Sequence, residues 1–367
     1  MNIAVKIPFY AKVALVFIGI FAFVFTLYIG AGIIIPVVFA TIIAILLNPL
    51  VNYLVRKKIN RLIAISIAVI VAILVVIGVL YIVSAQVTMF TETYPRLKVK
   101  FNTSSSEFLN WVSVKFKLRH ATIDAWITNT ENNAINKFAI GEKISAVGRL
   151  LVIIMLLPVY LFMILYYKTL LLEFIRKLFR TEHHIAVAEV LMSIKRIIQS
   201  YLVGLFLEMI IIAVLNSVGL LLLGVDYAIT LGITGAILNI IPYIGGIIAI
   251  ALPMVIAFVT KDSITSSLLV FGVYIMIQFI DNHYLIPRIV ASRVKINALI
   301  SVIVVLIGGA IWGIPGMFLS IPLTAIIKVI FDHIESLKPW GFLLGNIVPT
   351  TSRFRFIKQK SLVKKTS

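Results

Sequence analysis

Long apolar runs alternate along this chain with short polar and mostly basic clusters. Six runs, at 13–29, 33–54, 62–88, 150–167, 201–223 and 264–286, are each long enough to cross a hydrocarbon core roughly 30 Å thick as a helix rising about 1.5 Å per residue. Two more runs, 228–259 and 297–331, are too long for one straight span and too short for two full ones, which would need about 40 residues. Each is interrupted near its middle by glycine and proline, at 239–246 in the first and 312–316 in the second. A pair of half-helices meeting at the break fits both lengths, and irregular backbone at that depth must line a cavity or be buried in protein. The pattern predicts an all-α polytopic membrane protein with six full transmembrane helices and two broken helical hairpins.

The basic clusters orient these elements. Arg56, Lys57, Lys58 and Arg61 fall in the short loop 55–61 and mark it as cytoplasmic, because Lys and Arg accumulate on that side in short loops. The same rule places Arg288, Arg293 and Lys295 inside if the first broken segment enters and leaves from one side. A re-entrant hairpin and two short complete crossings satisfy it equally. The second broken segment then enters from the opposite face, so that 201–259 and 264–331 have the arrangement of an inverted repeat. Gly235 and Pro242 are spaced as Gly308 and Pro315 are.

Five regions result. Residues 1–88 carry three spans, and 89–148 form an extracytoplasmic helical insertion in which Trp111, Phe116 and Trp126 suggest short amphipathic helices or a small cap with its own core. Residues 149–200 hold the fourth span and a basic cytoplasmic helix, 201–333 form the transport region, and 334–367 make a basic tail. Both termini are expected in the cytoplasm.

Composition narrows the class. Hydrophobic residues make up 61% of the 367 residues and charged residues 13%, with a mean hydropathy of +1.12, which disfavours a soluble enzyme. The net charge of +19 would suggest nucleic acid in a soluble protein, but most of the 33 basic residues lie in the predicted cytoplasmic segments. With no cysteine, a disulfide framework and a cysteine-ligated metal are both excluded. No phosphate-binding loop, zinc-protease motif or serine-nucleophile elbow is present, so no cofactor, metal or catalytic residue is expected.

Candidate chemistry concentrates in the second half. Glu208 is a carboxylate well inside a predicted span, where an ionised side chain costs roughly 2.5 to 3.5 kcal/mol on insertion scales. It should face the bundle interior, be protonated or be partnered. A proton- or cation-coupling role and a neutral acid bonded to a neighbouring helix are both open. Gln278, Asp281 and Asn282 share a helix face by their spacing of three and four, offering oxygens to a hydrated cation or polyol, or else a polar cap at the interface. Asn239 precedes the first break. Pro242, Gly245 and Gly246, with Gly313, Pro315 and Gly316, would leave carbonyls unpaired where a solute could use them; close helix packing is the alternative role for the glycines. Asn216 suits interhelical hydrogen bonding, and His283 an interface anchor.

The residues Ile241-Pro242-Tyr243-Ile244-Gly245, Asn282 with Leu285-Ile286-Pro287-Arg288, and Gly308-Gly309 followed by Trp312-Gly313-Ile314-Pro315-Gly316-Met317 and Ile321-Pro322-Leu323-Thr324-Ala325 resemble the autoinducer-2 exporter family of bacterial membrane proteins. The layout of spans and insertion is similar over most of the chain. Gly246, Ala291 and Ile296-Asn297-Ala298 depart from the family's usual proline, glycine and Leu-His-Pro. The resemblance implies a multi-pass transporter of the bacterial plasma membrane, exporting a small furanosyl signal or exchanging sodium or lithium for protons.

The expected function is a secondary transporter, an exporter of a small polar organic solute of the autoinducer-2 kind, working by alternating access. A monovalent cation/proton antiporter with Glu208 and Asp281 as coupling groups is the second reading, and a membrane scaffold or lipid-handling protein the third. The expected partners are the lipid bilayer, a small polar solute, Na+ or H+ and further copies of the chain, without nucleic acid.

Overall fold

Among the described residues, which are 8–116, 155–241, 244–261, 263–291 and 294–347 of the computed structural model, every regular element is a helix. α1 (Phe9–Ile29) and α2 (Ala31–Arg56) are separated by Gly30 alone. α1 buries none of its residues, as suits a helix apolar on all sides that faces lipid. α2 buries Ile35, Ala40, Ile42, Ala44 and Val51 and keeps Pro36 and Pro49 within the helix. Tightly packed neighbouring helices make such prolines tolerable.

α3 (Arg61–Phe116) runs without interruption past residue 88, where the sequence pattern places the end of the third span. Trp111 and Phe116 therefore continue one long helix rather than forming short separate ones; Trp126 lies outside the described residues. Within the polar run Thr103 and Ser106 direct their hydroxyls to the carbonyls of Val99 and Thr103, one turn back, bonds that a continuous helix accommodates.

α4 (Met155–Tyr166) meets α5 (Lys168–Leu178) at a 64° bend. α6 (His184–Leu222) joins the expected basic segment and the fifth span in one helix, since nothing near residue 200 stops it. α7 (Ala228–Asn239) and α8 (Ile244–Thr260) follow, then α9 (Ile264–Ile280), which widens into a π-helical stretch, Asp281–Ala291. Pro287 lies inside that stretch, where its missing N–H disturbs an ordinary ladder. α10 (Ala298–His333) and α11 (Lys338–Leu344) complete the fold. Asn297 caps α10 by accepting from the Ile300 N–H at 2.9 Å, and its amide donates to the carbonyls of Leu343 and Gly345 at 2.7 and 3.0 Å, tying α11 to the start of α10. Among the described residues, six single helices, α10 with its kink included, are long and apolar enough to cross a membrane, and bent α4–α5 is a seventh candidate.

Both glycine-proline breaks fold the chain back on itself. In the first, a Cβ on Gly245 would overlap the Leu238 carbonyl, one on Gly246 would meet Asn239, and one on Gly235 would touch Ala249, so α7 and α8 lie side by side. In α10, Gly313 takes φ 62° and ψ −142°, outside helical space. Gly308 there lies against Gly316 and Ser320, and Gly309 against Met317, which brings the two arms of α10 together.

Ile42, Ile198 and Leu319 pack α2, α6 and α10 into one cluster, while Leu220, Leu231, Ile256, Val270 and Tyr274 join the first hairpin to α6 and α9. These contacts set the hairpins against the long helix that carries Glu208.

Candidate functional site

α6 presents one buried face that contains polar groups. Tyr201, Gly204, Glu208, Ile212 and Asn216 follow each other at three- and four-residue steps and are all buried. Glu208 thereby points into the bundle, against Asp281 at the junction of α9 and its π-helical stretch. The two carboxyl groups line one cavity and are near enough to interact electrostatically. Asp281 is completely buried. Its Oδ2 accepts from Asn239 Nδ2 at 3.0 Å and from Gln278 Nε2 at 3.4 Å, while Oδ1 meets no donor among the described residues. Two carboxylates ionised side by side would repel each other, and a proton held between them would relieve that repulsion.

Around this pair opens a cavity of about 680 Å³, lined by Tyr201, Glu208, Asn239, Gly246, Gln278, Asp281, Asn282 and Ser301, with Leu205, Ile240, Ile247, Ile250, Ile286, Val294, Ile296, Ala298 and Ile321 as apolar wall. The end of α7, the start of α8 and both arms of α10 all contribute, so the cavity lies where the two hairpins meet α6 and α9. Gly246 is placed so that a Cβ would stand 3.0 Å from Gln278 Oε1 and 3.4 Å from Asn239 Oδ1. Its lack of a side chain leaves those two oxygens facing open space.

The candidate residues separate into two groups. Glu208, Asn239, Gly246, Gln278, Asp281 and Asn282 come together at the cavity. Gly245 packs against the backbone of Leu238 and Asn239, and Pro242 lies outside the described residues. Gly313, Pro315 and Gly316 form the turn of the second hairpin and are absent from the cavity wall; Gly316 is buried against Gly308, and Trp312 Nε1 donates to the Leu27 carbonyl of α1 at 2.8 Å. His283 is exposed, bonds the Phe279 carbonyl and stacks on its ring. Asn216 is buried beside Gly235 and Tyr274, and Asn216 Oδ1, Thr234 Oγ1 and Tyr274 Oη have no partner among the described residues.

Sequence reasoning missed Tyr201 and Ser301 as cavity residues. Tyr201 was detectable, because a spacing of seven puts it on the same helix stripe as Glu208. Ser301 carried no such signal, since its place depends on how α10 folds back.

A family model of the AI-2E family transporters matches residues 15–336 of the chain. The chain belongs to the AI-2E transporter family. It is similar to the provisionally named transport protein YueF of Bacillus subtilis (strain 168), 26% identical over 269 residues, 70% of this chain and 71% of that one. YrrI of the same organism is 32% identical over 133 residues, 36% of this chain and 37% of its own, and the provisionally named permease PerM of Escherichia coli (strain K12) is 27% identical over 220 residues, 57% and 62%. This AI-2E transporter thus has the family expected from its glycine-proline motifs, and the family is one of transporters rather than enzymes.

Proposed function

We propose that this chain is a secondary transporter that carries a small polar solute outward through the cavity at Glu208 and Asp281, with the proton held by that pair as the coupling ion. The observation that carries the reading is the pairing of two buried carboxyls on the wall of a cavity built from both hairpins. A charge in hydrocarbon is expensive, and two in contact more so, unless proton gain and loss belong to the working cycle. The hairpins serve as re-entrant gates whose tips meet the solute, in an inverted repeat that allows the cavity to open to each side in turn. Beyond it, Asn216, Thr234 and Tyr274 continue the polar surface; Asn216 is eight residues along α6 from Glu208, or about 12 Å.

The chain resides in a bacterial plasma membrane with both termini in the cytoplasm. Support comes from the clustering of Arg61, Lys168 and Lys195 at one end of the bundle, as the positive-inside tendency favours. Self-association belongs to the same reading, since a hairpin that moves needs a stationary frame, and α1 offers a wholly exposed apolar surface.

A monovalent cation/proton antiporter is favoured by one specific arrangement, the oxygens of Glu208, Asp281, Asn239 and Gln278 gathered on one wall. The test is purified protein in liposomes with an imposed pH gradient and an internal pH dye. Gradient dissipation on adding sodium, potassium or lithium, lost in Glu208→Gln, assigns the antiporter; dissipation only with retained small polar metabolites assigns the solute exporter; no dissipation under any condition overturns both.

A further inference from the structure

A second cavity, about 470 Å³, lies at the basic end of the bundle between α2, α4, α5 and the start of α6. Its charged residues are Lys168, Arg176 and Lys195, with His184 at the same wall, and no carboxylate lines it among the described residues. Arg176 is neutralised by Glu173 at 2.6 Å. Lys168 has only the amide oxygen of Asn48, at 2.9 Å, and Lys195 forms no ion pair among the described residues. Arg61, close enough to repel Lys168, spends its guanidinium on the Leu165 and Tyr166 carbonyls. Burial, followed by the nearby charges of Lys195 and Arg61, pushes the Lys168 amine below its ordinary range. The cations therefore converge on space that contains no counter-charge.

The rest of the wall is apolar. Leu172, Leu191, Met192 and Ile164 line it, and along α2 it reaches from Asn48 to Thr41, about 10 Å in depth. α5 adds an independent sign of what lies alongside. Leu170, Leu171, Phe174 and Leu178 form one exposed apolar stripe on it, bordered by Lys177, while Arg176 and Glu173 lie toward the other side. A helix of this kind, bent 64° away from α4, suits the headgroup plane of a bilayer. The lining deeper in the spans than Lys168 is Ala44, Ile45, Ile164 and Leu165, so the cations lie toward the basic end of the cavity and an apolar floor toward the span interior.

We infer that this cavity is a binding site for an anionic phospholipid, with the phosphate held between Lys168 and Lys195 and the upper part of one acyl chain lying along Ala44, Ile45 and Ile164. A free phosphate would use the lysines but not the apolar floor. The site is separate from the Glu208 cavity and does not depend on the transport reading.

Native mass spectrometry of the full-length protein in detergent tests it, with dioleoylphosphatidylglycerol, dioleoylphosphatidylcholine and inorganic phosphate as probes. Each lysine near a headgroup is worth about fivefold in affinity, so the wild type, with two, should prefer the glycerol lipid by about twenty-fivefold. Lys168→Gln with Lys195→Gln should abolish the preference, and Lys57→Gln with Lys58→Gln, in the exposed loop, should retain it. Ile164→Trp, which keeps both charges and fills the floor, should weaken binding of the glycerol lipid. Equal affinity of the wild type for both lipids, a preference that survives loss of both lysines, or full displacement of the lipid by millimolar inorganic phosphate would overturn the assignment.

Discussion

Asn239 and Asp281 are 42 residues apart in sequence, yet the Asn239 amide donates to Asp281 Oδ2 at 3.0 Å. One is the last residue of α7 at the first glycine-proline break, and the other opens the π-helical stretch after α9. This bond connects the tip of a hairpin to the carboxyl pair. In the proposed cycle, movement of the hairpin and a change in the pair's protonation would be linked through this donor.

Removing that donor should be costly. Asn239→Ala leaves a buried carboxylate oxygen short of a partner, a loss of about 1 to 3 kcal/mol. Thermal denaturation in detergent should show a lowered midpoint, whereas Asn282→Ala, at an exposed side chain, should leave it nearly unchanged.

The carboxyl pair should behave as a unit. Glu208→Gln and Asp281→Asn are each expected to lower gradient-coupled flux roughly tenfold or more, and the double variant to be little worse than either, because groups acting together are not additive. Initial rates in liposomes, normalised to reconstituted protein, give the comparison.

Glycines at the second hairpin should fail for different reasons. Gly308 and Gly316 lack space, since a Cβ on either would overlap the other's carbonyl, and alanine there should cost about 1 to 3 kcal/mol. Gly313 has open space around it but a φ of 62°, so alanine should cost about 1 to 3 kcal/mol through backbone strain alone. Alanine at Gly272, with free space and no positive φ, is the tolerated control.

Lys168 supplies a pH signature. Its amine sits below the ordinary 10.5 in the folded chain, so between that lowered value and 10.5 the unfolded chain binds more protons than the folded one. Stability should therefore rise with pH through this window. Unfolding temperatures in lipid-free detergent should climb as pH rises toward 10.5, and Lys168→Gln should remove that part of the slope.

Much of this was legible in the sequence for physical reasons. Hydrocarbon thickness makes span length readable, and a charge within a span, such as Glu208, must be sheltered. The mid-run glycines and prolines marked both fold-backs because helices tolerate few other interruptions. Helix ends were less legible: residues 88 and 200 look like boundaries in hydropathy, but a change from apolar to polar does not stop a helix, and α3 and α6 continue through them. Asp281 was read with two alternatives, a cation ligand or an interfacial cap. Its complete burial follows from contacts with Asn239 and Glu208, which are far away in the chain. For Gly313, Pro315 and Gly316 the break was evident, but its separation from the cavity depended on tertiary packing.

The most direct test of the account is proton movement in proteoliposomes containing wild type or Glu208→Gln, with sodium, lithium or a small polar metabolite offered across an imposed pH gradient. The account predicts cargo-dependent dissipation of the gradient by the wild type and its loss in the variant at equal incorporation and unchanged unfolding temperature. Dissipation that is undiminished in Glu208→Gln would contradict it.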